Sequence, residues 1–105
     1  MVEGEGNAIE AGQKARVHYV GVLPDGTLFD TSRAEGRTPF DFVVGGGQVI
    51  QGWEKGVVGM KVGERRLLVI PPSLGYGEAG AGELIPANAT LIFEVELLGI
   101  IDSAQ

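Results

Sequence analysis

Apolar and polar residues alternate along the segment from Lys14 to Leu23. Side chains of a β-strand point alternately to its two faces, so this pattern predicts a half-buried strand. The strand is followed by Pro24-Asp25-Gly26, in which proline presets φ and glycine tolerates a positive φ. These three residues predict a turn, and residues 27–30 are therefore expected to return as the second arm of a hairpin.

The spacing of apolar residues changes in the middle of the chain. Ile50, Trp53 and Val57 occupy positions i, i+3 and i+7, which is the apolar stripe of a short helix, and Gly56 limits its length. Residues 73–88 are rich in glycine and predict a long loop, a feature that in small domains is usually functional or mobile. The remaining predicted strands are residues 40–44, 65–70 and 90–100.

These elements define the fold class that the sequence predicts. Four to five antiparallel strands form a sheet with one dry face, and the helix that carries Trp53 is the only segment available to cover it. We therefore expect an α+β fold in which a twisted antiparallel β-sheet of about five strands curls over one short α-helix. The 105 residues, 44% of them hydrophobic, suffice for one domain, with residues 1–12 as a loose lead-in.

Charge and composition exclude several classes of function. The formal net charge of −6 would repel a phosphate backbone, so we expect no nucleic-acid partner. No apolar run approaches about 18 residues and the N-terminus lacks signal-peptide features, so we expect no membrane span and a cytoplasmic protein. We also expect a monomer, which is the default for the predicted fold. The chain has no cysteine and one histidine, His18, and shows no metal-ligand spacing, so we expect neither metal nor cofactor.

Three short motifs have competing interpretations. Gly45-Gly46-Gly47 lacks the lysine and hydroxyl residue of a phosphate-binding loop, so a turn or bulge is the better interpretation. His18 lies on the polar face of its strand, with no serine or cysteine partner evident from the sequence. Asp30-Thr31-Ser32 resembles the active-site turn of aspartic proteases, which would require a homodimer and would leave Trp53 without a role.

The aromatic residues lie on both sides of the single tryptophan. Aromatic side chains are common in protein cores, so each one taken alone is explained by packing. Taken together, their positions favour convergence on one apolar pocket. The seven aromatic residues are Tyr19, Phe29, Phe40, Phe42, Trp53, Tyr76 and Phe93.

Longer motifs make the sequence more specific than these features alone. In chain order they are Val17-His18-Tyr19-Val20-Gly21, Asp25-Gly26-Thr27-Leu28-Phe29-Asp30-Thr31-Ser32, Pro39-Phe40-Asp41-Phe42, Val49-Ile50-Gln51-Gly52-Trp53, Gly59-Met60-Lys61-Val62-Gly63-Glu64, Pro71-Pro72-Ser73-Leu74-Gly75-Tyr76-Gly77, Ile85-Pro86-Ala87-Asn88-Ala89-Thr90-Leu91 and Phe93-Glu94-Val95-Glu96-Leu97. Over about residues 10–101 the chain resembles the FKBP-type peptidyl-prolyl cis–trans isomerases, which bind tacrolimus and rapamycin.

The resemblance implies a proline-binding pocket with assigned positions. Trp53 would form its floor, Tyr76 would offer its hydroxyl to a substrate carbonyl, and Asp30 would lie at the edge nearest the twisting amide. Phe93 would complete the catalytic set. The other implied substrate-binding residues are Tyr19, Phe29, Phe40, Val49, Ile50, Leu84 and Ile85. The implied partners are proline-containing peptides, unfolded proteins and tacrolimus- or rapamycin-type macrolides.

Three positions depart from the family pattern. Ala81 stands where the family often has histidine, and Gln48 stands where some members have glutamate. The loop 33–37 is one residue longer than in the type member, so no ion pair is assigned between Asp30 and Arg37. These departures concern substrate preference and macrolide affinity more than the basic activity.

The sequence therefore supports three functions in descending order. The first is peptidyl-prolyl cis–trans isomerisation, which assists protein folding. The second is a non-catalytic module of the same fold that binds proline-containing peptides. The third and remote one is a homodimeric aspartic protease.

Overall fold

The computed structural model describes residues 4, 6–33, 38–81 and 85–101 of the chain. The predicted α+β architecture, a five-stranded antiparallel sheet with one short α-helix, is confirmed in these ranges. Its elements are β1 (Lys14–Val22), β2 (Leu28–Thr31), β3 (Phe40–Val43), α1 (Gln51–Val57), β4 (Arg65–Ile70), a 3-10 turn (Pro72–Leu74) and β5 (Leu91–Ile101).

Strand β1 organises the sheet because it pairs with three other strands. The strand order is β2-β1-β5-β4. Strands β3 and β2 both pair with the other edge of β1, β3 with its first half and β2 with its last residues. All these pairings are antiparallel. The alternation in β1 and β5 places apolar side chains on the inner face, where Ala15, Val17, Tyr19, Leu91, Phe93, Val95 and Leu97 are buried.

Helix α1 covers the inner face and approaches β4 through two glycines. A Cβ atom on Gly52 would lie 2.5 Å from the Ile70 side chain, and one on Gly56 would lie 2.6 Å from the Leu68 side chain. The two glycines are four residues apart and so share one face of the helix. Because glycine has no side chain, the helix lies closer to the sheet than any other residue at these positions would allow. The sequence predicted for Gly56 only that it limits the length of the helix.

The lead-in to β1 is fixed at Ile9, in contrast to the loose segment predicted for residues 1–12. The Ile9 side chain is fully buried, its N–H donates to Met60 O at 2.7 Å, and its C=O accepts from Gly59 N–H at 3.0 Å. A single apolar residue in a polar, glycine-rich stretch carries no periodicity, so the sequence pattern does not reveal this anchor.

No helix in the described ranges is long and apolar enough to cross a membrane, since α1 has seven residues.

Candidate active site

A cavity of about 430 Å³ opens between the inner face of the sheet and the N-terminal end of α1. This volume lies in the range that holds a small ligand or a short piece of peptide. Of the described residues that line it, Asp30 is the one whose side chain carries a charge. The lining residues are Tyr19, Asp30, Phe40, Gly47, Gln48, Val49, Ile50, Trp53, Tyr76 and Phe93.

Trp53 forms the rigid centre of this cavity. Its ring lies 5.1 Å from that of Tyr19 and 5.2 Å from that of Phe93, measured between centroids. Phe42 and Phe40 follow at 5.6 and 6.1 Å, and all four contacts are edge-to-face, the arrangement that the ring quadrupoles favour. Because the indole is 4% exposed and packed by four rings, it provides a fixed apolar surface.

A β-bulge in β2 places Phe29 behind Phe93. The register pairs Gly21 with Asp30 and the next residue of β1 with Leu28, so Phe29 is the additional residue of the bulge. The Phe29 ring packs edge-on against Phe93, with 5.3 Å between centroids. Phe29 therefore supports the cavity wall from outside and is not itself among the lining residues, unlike the position that the resemblance implied.

The carboxylate of Asp30 is held in one orientation at the cavity edge. The Tyr19 hydroxyl donates to Oδ2 at 2.7 Å, and the backbone N–H of Thr31 donates to Oδ1 at 2.8 Å. The Tyr19 ring in turn packs against Trp53 and Phe93. The carboxylate and the aromatic cluster are thus coupled through one tyrosine.

Glu54 in α1 organises the glycine loop at the rim of the cavity. The backbone N–H groups of Gly45 and Gly47 donate to its two carboxylate oxygens, the Gly47 bond measuring 3.2 Å. Both glycines have a positive φ, so the predicted turn is confirmed. Gln48 Oε1 accepts from the Val43 N–H at 2.8 Å. The sequence predicted the turn and singled out Gln48, but it did not reveal the role of Glu54, because only tertiary contact connects Glu54 to the loop.

The Ile50 N–H and the Tyr76 hydroxyl are among the hydrogen-bonding groups of the lining residues that have no partner within the described ranges. Ile50 lies directly before α1 in an extended conformation, and within the described ranges its N–H has no acceptor. Tyr76 follows the 3-10 turn, is 40% exposed, and has no hydroxyl partner among the residues that the structure describes. One donor and one donor–acceptor group can therefore meet carbonyl groups of a ligand.

The loop after Tyr76 carries the last two predicted site residues. Ile85 is buried in the core and forms an isolated bridge with Ala81, with N–H to O distances of 2.9 and 3.1 Å, and it is not among the residues that line the cavity. Leu84 lies outside the described residues, as does Arg37.

His18 has a serine partner, contrary to the interpretation of the sequence. Its Nδ1 lies 2.9 Å from the Oγ of Ser32, which is buried and also accepts from the Tyr19 N–H at 2.7 Å. Neither His18 nor Ser32 lines the cavity, so this contact joins β1 to the end of β2 and forms no nucleophilic centre there. Among the described residues there is also no group of three metal-ligating side chains.

The chain is similar in sequence and in fold to known proteins. The sequence profile of the FKBP-type peptidyl-prolyl cis–trans isomerases matches residues 5–98. The chain is 58% identical over 91 residues to FK506-binding protein 2 of Dictyostelium discoideum, covering 87% of this chain and 68% of that protein. It is 56% identical over 89 residues to peptidyl-prolyl cis-trans isomerase FKBP2 of Mus musculus, covering 85% and 63%. The crystal structure of AtFKBP13 superposes with a TM-score of 0.88 at 40% identity, covering 95% and 88%.

Proposed function

Since the chain belongs to the FKBP-type family and is a peptidyl-prolyl cis–trans isomerase, we propose that it rotates Xaa–Pro bonds in the aromatic cavity above Trp53. The observation that carries this assignment is the cavity itself. A rigid apolar floor lies beside one oriented carboxylate and beside the Ile50 N–H, which has no acceptor among the described residues. Its substrates are proline-containing peptides and unfolded polypeptides, whose folding it assists.

The comparisons bear on both alternative functions. The aspartic-protease interpretation of Asp30-Thr31-Ser32 is wrong, because the chain belongs to another family and Asp30 bonds to Tyr19 at the edge of an aromatic cavity. The non-catalytic interpretation is less well supported, since relatives 56% identical over most of this chain are named peptidyl-prolyl cis-trans isomerases.

The reaction requires no covalent chemistry. The C–N bond of a peptide has partial double-bond character, which gives a rotation barrier of about 18–20 kcal/mol. Uncatalysed Xaa–Pro isomerisation takes tens to hundreds of seconds. An acceleration of about five decades requires about 7 kcal/mol of transition-state stabilisation. Binding and desolvation have to supply this energy, because rotation forms and breaks no σ-bond.

The apolar walls favour the twisted amide over the planar one because the two differ in polarity. Rotation removes resonance, so the twisted amide is less polar than the planar one. Transfer from water into a cavity walled by Trp53, Phe93 and Tyr19 therefore costs the planar ground state more than the transition state. The same rings hold the proline side chain, so that rotation occurs on the other side of the bond.

The polar groups of the site hold the peptide on either side of the rotating bond. The N–H of Ile50 donates to a substrate carbonyl, and the Tyr76 hydroxyl donates to a second one. The carboxylate of Asp30 lies nearest the rotating carbonyl and interacts with its carbon as resonance is lost. Each interaction that strengthens as the amide twists contributes to the rate.

Two phenylalanine variants test the cavity as the site of rotation. Phe93 lines the cavity, whereas Phe42 contacts Trp53 but does not line it, and both are buried. Phe93→Leu and Phe42→Leu should destabilise the fold to a similar degree, by about 1–1.5 kcal/mol. Only Phe93→Leu should lower kcat/KM more than ten-fold, measured by NMR exchange on an Xaa–Pro peptide at a temperature where both variants are folded. Equal losses of activity would contradict the assignment.

The polar assignments have their own test in the same assay. Asp30→Ala should lower kcat/KM strongly, and Tyr76→Phe should lower it more mildly because it removes one hydroxyl. If both variants retained the wild-type rate, the roles given to these two residues would be wrong.

We further propose that the chain acts as a monomer and that the same cavity accepts a macrolide. Two of its relatives are named FK506-binding proteins, and the apolar cavity offers the kind of surface that such a ligand requires. Macrolide should therefore compete with an Xaa–Pro peptide, and Phe93→Leu should weaken both. Macrolide binding that leaves peptide exchange unaffected would contradict a shared site.

A further inference from the structure

The outer face of the sheet, opposite the cavity, carries a continuous row of aliphatic side chains. The register places Ile92 between Val69 and Val22, and Leu28 pairs with Val22 in turn, so the row crosses β4, β5, β1 and β2. Val69 is 62% exposed and Leu28 is 52% exposed, while the two central residues are half-buried. Leu67, the next outward-facing residue of β4, is 52% exposed and widens the row.

This row differs from the rest of the same face. At the other end of the face, Arg33 forms a salt bridge with Glu96, and Arg65 Nε lies 3.8 Å from Glu96 Oε2. His18 is the residue of β1 that pairs with Glu96. An antiparallel sheet with one wet face ordinarily carries polar residues there, as this end does. Single apolar side chains on a surface need no explanation, but a contiguous exposed set marks an interaction surface.

One carboxylate, that of Glu94, adjoins the row. The register places it between Leu67 and Val20. No residue in the described ranges forms an ion pair or side-chain hydrogen bond with it. A partner that covers the row would desolvate this carboxylate, and a cation on that partner would compensate for the loss of water. The surface therefore favours an occupant that combines apolar and basic side chains.

We propose that the outer row, Leu28, Val22, Ile92 and Val69 with Leu67, docks an amphipathic helix of another protein that carries lysine or arginine beside its apolar stripe. The row spans three strand spacings of about 4.8 Å, or about 14 Å in total. Apolar residues at i, i+4, i+7 and i+11 of a helix span about 16 Å, which matches the row.

The negative charge of the chain favours a basic helix over two other possible occupants of the row. A second copy of the chain would bring two Glu94 carboxylates and two net charges of −6 together, which is unfavourable. An anionic lipid surface would be repelled by the same net charge. A basic amphipathic helix is favoured by both the apolar row and the carboxylate.

Two synthetic peptides test the proposal on the 105-residue chain. Both are 14-residue helices with leucine at the four stripe positions, and the positions beside the stripe are lysine in one and glutamate in the other. Fluorescence anisotropy gives the affinity, and amide NMR shifts locate the site. We expect the lysine peptide to bind at least ten-fold more tightly than the glutamate peptide, with the largest shifts in β4 and β5 and an unchanged isomerisation rate.

Variants of the outer face assign the affinity to particular residues. Glu94→Gln should weaken the lysine peptide about five-fold, and Glu94→Lys should reverse the preference between the two peptides. Val69→Thr, which is nearly isosteric, should weaken both peptides. Glu10→Gln, an exposed change on the lead-in to β1, should alter neither affinity. Circular dichroism and the unchanged exchange rate establish that each variant is folded.

Four results would overturn the proposal. They are equal affinity for the two peptides, displacement of the lysine peptide by an Xaa–Pro peptide, absence of binding by either peptide at millimolar concentration, and a dimer in sedimentation that Val69→Thr dissociates. The second would place the peptide in the cavity, and the last would make a second copy the occupant. None of these results bears on the isomerase assignment, which rests on the opposite face.

Discussion

Replacing Gly21 by alanine should disturb the cavity through two rings at once. A Cβ atom at this position in β1 would lie 2.7 Å from Phe29 Cζ and 2.7 Å from Phe93 Cε1. Carbon atoms in ordinary contact are separated by about 3.5–4.0 Å, so each ring has to move by about 1 Å. Phe29 is itself packed against Phe93, so the displacement falls on the ring that lines the cavity.

Stability and activity should both fall in Gly21→Ala. Overpacking of a core costs about 1–3 kcal/mol, whereas alanine in place of glycine in a strand gains about 0.5–1 kcal/mol. The net loss, centred at about 1 kcal/mol, should lower Tm by about 4–8 °C. A misplacement of about 1 Å in a catalytic site can cost about 100-fold, so we expect kcat/KM to fall by about 10- to 100-fold.

Gly99→Ala provides the matched control. Gly99 also lies in a strand, β5, but a Cβ atom there would meet no atom of the described residues within 4 Å. This variant should gain about 0.5–1 kcal/mol of stability and keep the wild-type rate. Urea denaturation measures the stability of both variants, and NMR exchange on an Xaa–Pro peptide measures their rates.

A compensating change separates steric coupling from a general effect of the substitution. Leucine in place of Phe29 removes the Cζ and Cε1 atoms that the new methyl group of Gly21→Ala would meet. Because Phe29 does not line the cavity, the double variant should recover a large part of kcat/KM. If Gly21→Ala kept the wild-type rate and stability, or if Phe29→Leu deepened the loss, the argument from ring displacement would be refuted.

Three further predictions concern single contacts. Tyr19→Phe removes the hydroxyl that donates to Asp30, a bond to a charged group worth about 1.5–3 kcal/mol, so kcat/KM measured by NMR exchange should fall about ten-fold or more. Gly52→Ala would overlap a β4 side chain at 2.5 Å and should lower the free energy of unfolding in urea by about 1 kcal/mol or more, despite the higher helix propensity of alanine. The hydrogen bond from Arg16 lowers the pKa of Asp41, so this pair stabilises the fold above about pH 4, and the stabilisation is lost as pH falls through the lowered pKa. The difference in unfolding free energy between wild type and Asp41→Asn should therefore shrink in urea titrations as the pH is lowered from about 5 to about 2.

Most strands and the helix could be predicted from the spacing of apolar residues, because this spacing is a local property of the sequence. The alternation from Lys14 predicted β1, and the spacing of Ile50, Trp53 and Val57 predicted α1, with boundaries within two residues of those observed. The burial of Ile9 was not predicted, because it depends on backbone hydrogen bonds to Met60 and Gly59, about 50 residues further along the chain. Such contacts leave no pattern in the sequence around the residue.

The same limit applies to the site. Tyr19, Phe40, Trp53 and Phe93 were placed in the cavity by the resemblance, and the structure brings them together there. That Gly47 and Gln48 line the cavity was not predicted, because the carboxylate of Glu54, in the helix, positions the loop that contains Gly47. The type of a residue indicates which chemistry its side chain can perform. Only the folded chain determines which distant group orients that side chain.

The bulge in β2 shows how a small irregularity of the backbone sets the chemistry of this enzyme. Successive residues of a regular strand point to opposite faces, so Phe29 and Asp30 could not both serve the inner face of an undistorted sheet. The additional residue lets the ring support Phe93 while the carboxylate reaches the Tyr19 hydroxyl. The same irregularity leaves Leu28 on the outer face opposite Val22. One additional residue therefore completes the aromatic cavity on one side of the sheet and the aliphatic row on the other.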